Sequence, residues 1–73
     1  MTELRKQLAH LAFALGTNLD TVALKMGIDK RTLFDRLDHP GKFKVKEMRD
    51  LFDALKMTTE EREQFIKIAF ESE

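Results

Sequence analysis

The order of apolar and polar residues along the chain predicts helices separated by short turns. Over residues 2–15, leucines recur at intervals of four, three and four positions, which is one apolar stripe along an α-helix. These leucines are Leu4, Leu8, Leu11 and Leu15. Gly16 and Thr17 follow them, and glycine is common just beyond a helix C-terminus. The pattern therefore predicts a first helix over about residues 2–15.

The stretch 18–38 predicts two short helices joined by a tight turn. Asn18 and Asp29 are typical N-cap residues, because their side-chain oxygens accept hydrogen bonds from N–H groups in a helix's first turn. Ala23 is small enough for two helices to approach closely, and Gly27 lies where the chain leaves the first helix. The apolar faces come from Val22, Met26, Ile28, Leu33 and Leu37. A small residue followed four positions later by a glycine is the spacing of a helix-turn-helix.

The rest of the chain predicts a loop and two further helices. A proline and a glycine mark a loop over residues 39–45, in which Phe43 and Val45 are expected to anchor the core. The fourth helix, over about residues 46–56, has an apolar face formed by Met48, Leu51, Phe52 and Leu55.

A capping box predicts the start of the fifth helix. Thr58 and Glu61 have the spacing at which each side chain accepts a hydrogen bond from the other residue's backbone N–H, so this helix is expected over about residues 59–72. The predicted fold class is therefore all-α, with five helices in a single domain over residues 1–73.

Composition favours a small protein that depends on helix packing. The chain has 73 residues, 42% of them hydrophobic, no cysteine and one proline. Without cysteine it forms neither a disulfide nor a thiolate metal site. The longest apolar run, residues 11–15, is too short to span a bilayer, and the N-terminus lacks the hydrophobic region of a signal peptide. We therefore expect a soluble intracellular protein.

Charge is unevenly distributed, although 13 basic and 13 acidic residues cancel over the whole chain. Residues 29–46 contain six basic and three acidic side chains, whereas residues 57–73 contain two basic and five acidic ones. A net charge of zero is unusual for a DNA-binding protein, because such proteins gain affinity when Lys and Arg displace counterions from phosphates. The basic middle segment is the part of the chain suited to that role.

The sequence shows no arrangement typical of catalysis. His10 and His39 lie on different elements without the spacing of metal ligands. Asp50 and Asp53 are three residues apart on the fourth helix, where paired carboxylates usually form a solvated face. Neither a Gly-rich phosphate loop nor a nucleophile elbow is present. We therefore expect no enzymatic activity and no cofactor or metal.

The stretch 18–38 resembles the helix-turn-helix of the Cro/repressor (XRE-type) family of bacterial and phage regulators. The matching residues are Val22-Ala23, Met26-Gly27-Ile28, Thr32-Leu33 and Leu37. The continuation His39-Pro40-Gly41-Lys42-Phe43, followed by Glu47-Met48, resembles the small phage-type branch, and the likeness covers about residues 3–57. It implies a transcriptional regulator of a phage-type switch between lysogeny and lysis, which binds an operator in double-stranded DNA in the cytoplasm of a bacterial host.

The third helix carries most of the candidate binding residues. At about 100° per residue, Leu33 and Leu37 define its buried side, and Arg31 lies opposite them. The resemblance implies base contacts from Lys30, Arg31, Thr32, Phe34 and Asp35, and phosphate contacts from Lys42, Lys44 and Lys46. The full candidate set for DNA or for a protein partner is Leu19, Lys30, Arg31, Thr32, Phe34, Asp35, Arg36, Asp38, Lys42 and Lys44.

Two features favour a protein partner over DNA. Many members of the family carry a phosphate-binding glutamine where this chain has Leu19. Three carboxylates on or beside the same face oppose a polyanion, namely Asp29, Asp35 and Asp38, although Asp35 also has the spacing to pair with Arg31. An exposed Leu19 and Phe34 rimmed by carboxylates fits the basic DNA-reading face of a partner repressor. The alternative function is an antirepressor similar to the modulator-of-repression proteins of temperate phages.

The fifth helix carries more apolar side chains than one core-facing stripe needs. They include Phe65, Ile66, Ile68 and Phe70. One interpretation is a wide lid over a thin core. The other is a homodimer surface, which would place two third helices one DNA turn apart. The sequence leaves both interpretations open.

Overall fold

The computed structural model describes residues 3–71, and this part of the chain is helical apart from its turns. The α-helices are α1 (Glu3–Ala14), α2 (Leu19–Met26), α3 (Lys30–Asp38), α4 (Val45–Ala54) and α5 (Thr59–Glu71). A single 3-10 turn over Pro40–Lys42 connects α3 to α4. The described residues contain no strand, so the predicted all-α class with five helices is confirmed. The expected helix ends at Thr2 and Ser72 lie outside the described residues.

The predicted caps and turn of the α2–α3 segment are confirmed. Asn18 Oδ1 accepts a hydrogen bond from the Thr21 N–H at 2.9 Å, and Asp29 Oδ2 accepts one from the Arg31 N–H at 3.3 Å. Between the two helices Gly27 has a φ of 74°, a left-handed conformation that glycine adopts without the strain of a Cβ. Local chemistry therefore fixes where α2 ends and where α3 begins.

One apolar cluster contacts all five α-helices. Its largest fully buried side chains are Leu8, Val22, Leu33, Leu37, Leu51 and Phe65. Burial of each such side chain contributes about 1.5–3 kcal/mol, so the core stabilises the fold without covalent cross-links. The α1 stripe is only partly as predicted. Leu15 is 49% exposed because α1 ends at Ala14, and Ala12 takes the inward position instead.

The segment between α3 and α4 has one core anchor where two were expected. Phe43 is buried and packs edge-to-face against Phe65, with ring centroids 5.7 Å apart. The expectation for Val45 is wrong, because this residue begins α4 and is 68% exposed. Phe52 supplies a second edge-to-face contact with Phe65, at 5.3 Å. The 3-10 turn and α4 are thus joined to α5 through three aromatic rings.

The capping box at the start of α5 is confirmed. The Thr58 N–H donates to Glu61 Oε1 at 2.9 Å, and the Glu61 N–H donates to Thr58 Oγ1 at 3.2 Å. Just before it, Lys56 adopts a left-handed φ of 50° and Met57 is buried. Neither feature was predicted from the sequence. This connection turns the chain so that α5 packs against α1 and against the 3-10 turn.

Candidate functional site

The outward side of α3 is exposed to solvent at Lys30, Arg31 and Asp38. Leu33 and Leu37 are buried and hold α3 against α1 and α2. We call the opposite side the α3 face, which comprises Lys30, Arg31, Phe34, Asp35 and Asp38. Within this face Phe34 and Asp35 are half-buried, whereas the other three residues are exposed. No other part of residues 3–71 covers Arg31, so a macromolecule can reach the first turn of this helix.

Carboxylates neutralise most of the cations on and beside the α3 face. Lys30 Nζ lies 3.4 Å from Asp20 Oδ2 of α2, and Lys42 Nζ lies 3.2 Å from Asp35 Oδ2. The alternative pairing of Asp35 with Arg31 is wrong, since Lys42 and Arg36 occupy the Asp35 carboxylate. Within residues 3–71 Arg31 has no ion-pair partner. It is therefore the cation on α3 best placed to bind an external acceptor.

Arg36 points toward α4 and is largely buried rather than lying on the open side. Its Nε donates to Glu47 Oε1 at 3.1 Å, and its Nη1 lies 3.3 Å from Asp35 Oδ2. Glu47 Oε1 also accepts from the Lys44 N–H at 3.0 Å, at the start of α4. Burial raises the pKa of the Glu47 carboxyl, but the Lys44 N–H and the Arg36 guanidinium outweigh burial and lower that pKa below 4.5. Arg36 thus ties α3 to α4.

Phe34 is covered by a cation from another helix. The guanidinium carbon of Arg5, on α1, lies over the Phe34 ring at 4.3 Å from its centroid, and Lys30 Nζ lies at 5.7 Å. Arg5 Nη1 is also 3.7 Å from Asp38 Oδ2. Arg5 is not among the site residues predicted from the sequence, because only the packing of α1 against α3 brings this residue to the site. No local sequence pattern signals such a contact.

Leu19 does not belong to an exposed binding surface. It is only 8% exposed and lies in the core cluster with Val22, Ala23 and Met26. As the first residue of α2 it lies on the buried stripe of that helix, three and four positions before Val22 and Ala23. The expectation of an exposed Leu19 beside an exposed Phe34 is therefore wrong for Leu19, and Phe34 is only partly exposed. Its apolar side chain stabilises α2 against the core.

The expected phosphate-binding lysines differ in their surroundings. Lys42 is paired with Asp35, and Lys46 Nζ lies 2.7 Å from Asp50 Oδ2 one helical turn away. Lys44 is exposed, and its side chain forms no ion pair within the part of the chain that the structure describes. Thr32, in the first turn of α3, is half-buried. Among the cations expected to contact DNA, Arg31 and Lys44 thus form no salt bridge within residues 3–71, although the positive charge of Lys44 helps to lower the pKa of Glu47.

The apolar residues of α5 divide between core and surface. Phe65 is 0% exposed and Ile68 packs against the core, so the prediction of Phe65 as a dimer contact is wrong. Ile66 is 47% exposed and Phe70 is 40% exposed. Beside Ile66 lies an apolar groove of about 250 Å³, which we call the α4–α5 groove. It is lined by Val45, Met48, Arg49, Phe52 and Ile66.

No helix within residues 3–71 combines the length and apolar character needed to cross a membrane. Comparison of the chain with protein-family models, with curated proteins and with solved structures finds no match.

Proposed function

We propose that this protein is a helix-turn-helix transcriptional regulator that binds operator DNA through the α3 face, as part of a phage-type genetic switch. One observation carries the proposal: α2 and α3 are two capped helices joined at Gly27, with the inner side of α3 buried and its outer side open. An α-helix presented in this way fits the major groove of B-DNA.

Arg31 is the central base-reading residue in this proposal. Its exposed guanidinium has the two parallel donors that match guanine O6 and N7. Lys44 contacts phosphate in this proposal, and Lys30 and Lys42 exchange their carboxylate partners for phosphates, since ion pairs of such exposed lysines contribute about 0–1 kcal/mol. Two to four phosphate contacts correspond to a slope of about −2 to −4 in log K against log salt concentration.

Dimerisation through α5 completes the proposal. Ile66 is exposed at the α4–α5 groove and Phe70 is exposed one helical turn further along α5, so two copies joined through α5 bury apolar surface that one copy leaves in water. The domain is 29 Å in its longest dimension, so two copies side by side can place their α3 helices about 34 Å apart, one turn of DNA.

A fluorescence-anisotropy titration tests operator binding. Its probe is a DNA duplex from the region upstream of the gene that encodes this protein, which we call the upstream duplex. We expect saturable binding that weakens between about 50 and 200 mM salt. Arg31→Ala should weaken it by about tenfold or more, because a bidentate base contact is lost. Lys6→Ala is the matched control, since Lys6 is an exposed cation beside the cleft between α1 and α5. Equal losses in the two variants would contradict a base contact from Arg31.

The alternative function is antirepression through the same α3 face. The observation that favours it is the pairing of four cations with carboxylates: Lys30 with Asp20, Lys42 with Asp35, Arg36 with Glu47, and Arg5 with Asp38. A face of alternating charges around a half-buried aromatic ring suits a protein partner, here the basic DNA-reading face of a repressor. In this case the protein alone does not shift DNA in a gel-shift assay. It changes the gel shift produced by the repressor that is encoded beside it, which we call the neighbouring repressor.

A further inference from the structure

A row of contacts crosses three helices at the α3 face. Asp20 of α2 pairs with Lys30, Lys30 lies near the Phe34 ring, Arg5 of α1 lies over the same ring, and Arg5 pairs with Asp38. Arg5 contacts both an aromatic ring and a carboxylate, one helical turn apart on α3. In this row of contacts, Arg5 is the residue that α1 contributes to the proposed binding surface.

We propose that Arg5 is a positioning residue of the α3 face, so that the binding surface spans α1 as well as α3. The proposal rests on the proposed function, because it concerns the same surface. A planar guanidinium stacks on an aromatic face and pairs with a carboxylate at the same time, which a lysine ammonium does not do as well. Arg5 thereby holds the Phe34 ring in one orientation and draws the Asp38 carboxylate toward α1.

Two consequences for binding follow from this arrangement. The ring face beneath Arg5 is covered, so Phe34 presents its remaining edge to a macromolecule rather than lying flat on it. The charge of Asp38 is offset by Arg5 at 3.7 Å. Loss of Arg5 would release the ring and leave the carboxylate with less compensation beside the binding surface.

Arg5→Ala and Lys6→Ala form a matched pair for the test. The two residues are neighbours on α1, and each substitution removes one positive charge, but Lys6 faces the cleft between α1 and α5. The aromatic NMR signals of Phe34 are identified as those that disappear in Phe34→Leu. In the absence of any ligand, they report the position of the Phe34 ring. Anisotropy reports affinity for the upstream duplex or, where the wild type binds no DNA, for the neighbouring repressor. Urea unfolding checks that each variant is folded.

We expect Arg5→Ala to shift the Phe34 signals and to weaken binding about fivefold to tenfold more than Lys6→Ala does. Arg5→Lys should retain part of the affinity, because its ammonium can still pair with Asp38 but stacks less well. It also serves as the folded variant if Arg5→Ala unfolds. Unmoved Phe34 signals, or equal affinity of Arg5→Ala and Lys6→Ala, would overturn the role of Arg5. If the wild-type protein binds neither the upstream duplex nor the neighbouring repressor, the proposed function is overturned. That outcome is measured before any variant is made, so it is distinct from a failure of the role of Arg5.

Discussion

The α3 face and the α4–α5 groove are two exposed surfaces of opposite character. Cations and carboxylates alternate around one half-buried ring on the α3 face, whereas the α4–α5 groove is lined by apolar side chains and one arginine. Charged groups give orientation and specificity, while exposed apolar groups give non-directional association. This difference is why we propose that another macromolecule is recognised through α3 and that self-association occurs through α5.

Two adjacent residues of α5 have opposite environments. Phe65 is fully buried and contacts the rings of Phe43 and Phe52, whereas Ile66 is exposed at the groove. Phe65→Ala should lower the free energy of unfolding by about 3–5 kcal/mol, because it opens a cavity in the core. Urea denaturation measures this loss.

Ile66→Ala is the control for that substitution. We expect its free energy of unfolding to change by less than about 1 kcal/mol in the monomer. Sedimentation velocity should show weaker self-association than in the wild type. A large loss of stability in the monomeric Ile66→Ala protein would mean that the surface assignment of Ile66 is incorrect.

Leu19→Gln should have the next largest effect on stability, and it tests whether position 19 of α2 takes part in binding. The substitution introduces the glutamine that the resemblance would place at this position. Because Leu19 is buried, a glutamine there loses apolar burial and needs new hydrogen-bond partners, which should cost about 1–3 kcal/mol of stability. We expect no gain in affinity for the upstream duplex. Stronger DNA binding, measured by anisotropy, would show that position 19 can face the ligand after all.

Glu47→Gln has a smaller expected effect than Leu19→Gln and tests the link between α3 and α4. It weakens the cap on α4 and the pair with Arg36, so we expect a loss of about 0.5–2 kcal/mol at neutral pH. The folded state lowers the pKa of Glu47, so its contribution is present above the unperturbed value of 4.5 and is lost as pH falls through the lowered pKa. Wild type and variant should therefore converge in stability on acidification. A constant difference, measured by urea unfolding across that range, would contradict this assignment.

Helix positions were predictable because local chemistry determines them. The N-caps at Asn18 and Asp29, the turn at Gly27 and the capping box at Thr58 each depend on residues within four positions of one another. The exposed side of α3 followed from the same helical geometry, with Leu33 and Leu37 as the reference for its buried side.

The composition of the site was harder to predict because it depends on packing between helices. Arg5 reaches Phe34 only because α1 packs against α3, and Lys42 reaches Asp35 only through the 3-10 turn. The errors at Leu19 and Phe65 arose from the same limitation, because an apolar residue's membership of a stripe does not reveal which neighbouring helix covers it. Tertiary contacts decided each of these positions.

The central claim is that the α3 face is where this protein binds another macromolecule. An NMR titration of ¹⁵N-labelled protein with the upstream duplex, or with the neighbouring repressor if no DNA binds, tests it most directly. We predict that amide shifts will concentrate at the first turn of α3, at Lys30, Arg31 and Thr32, and extend to Arg5 on α1. Shifts centred on α4 and α5, with the first turn of α3 unchanged, would contradict the claim.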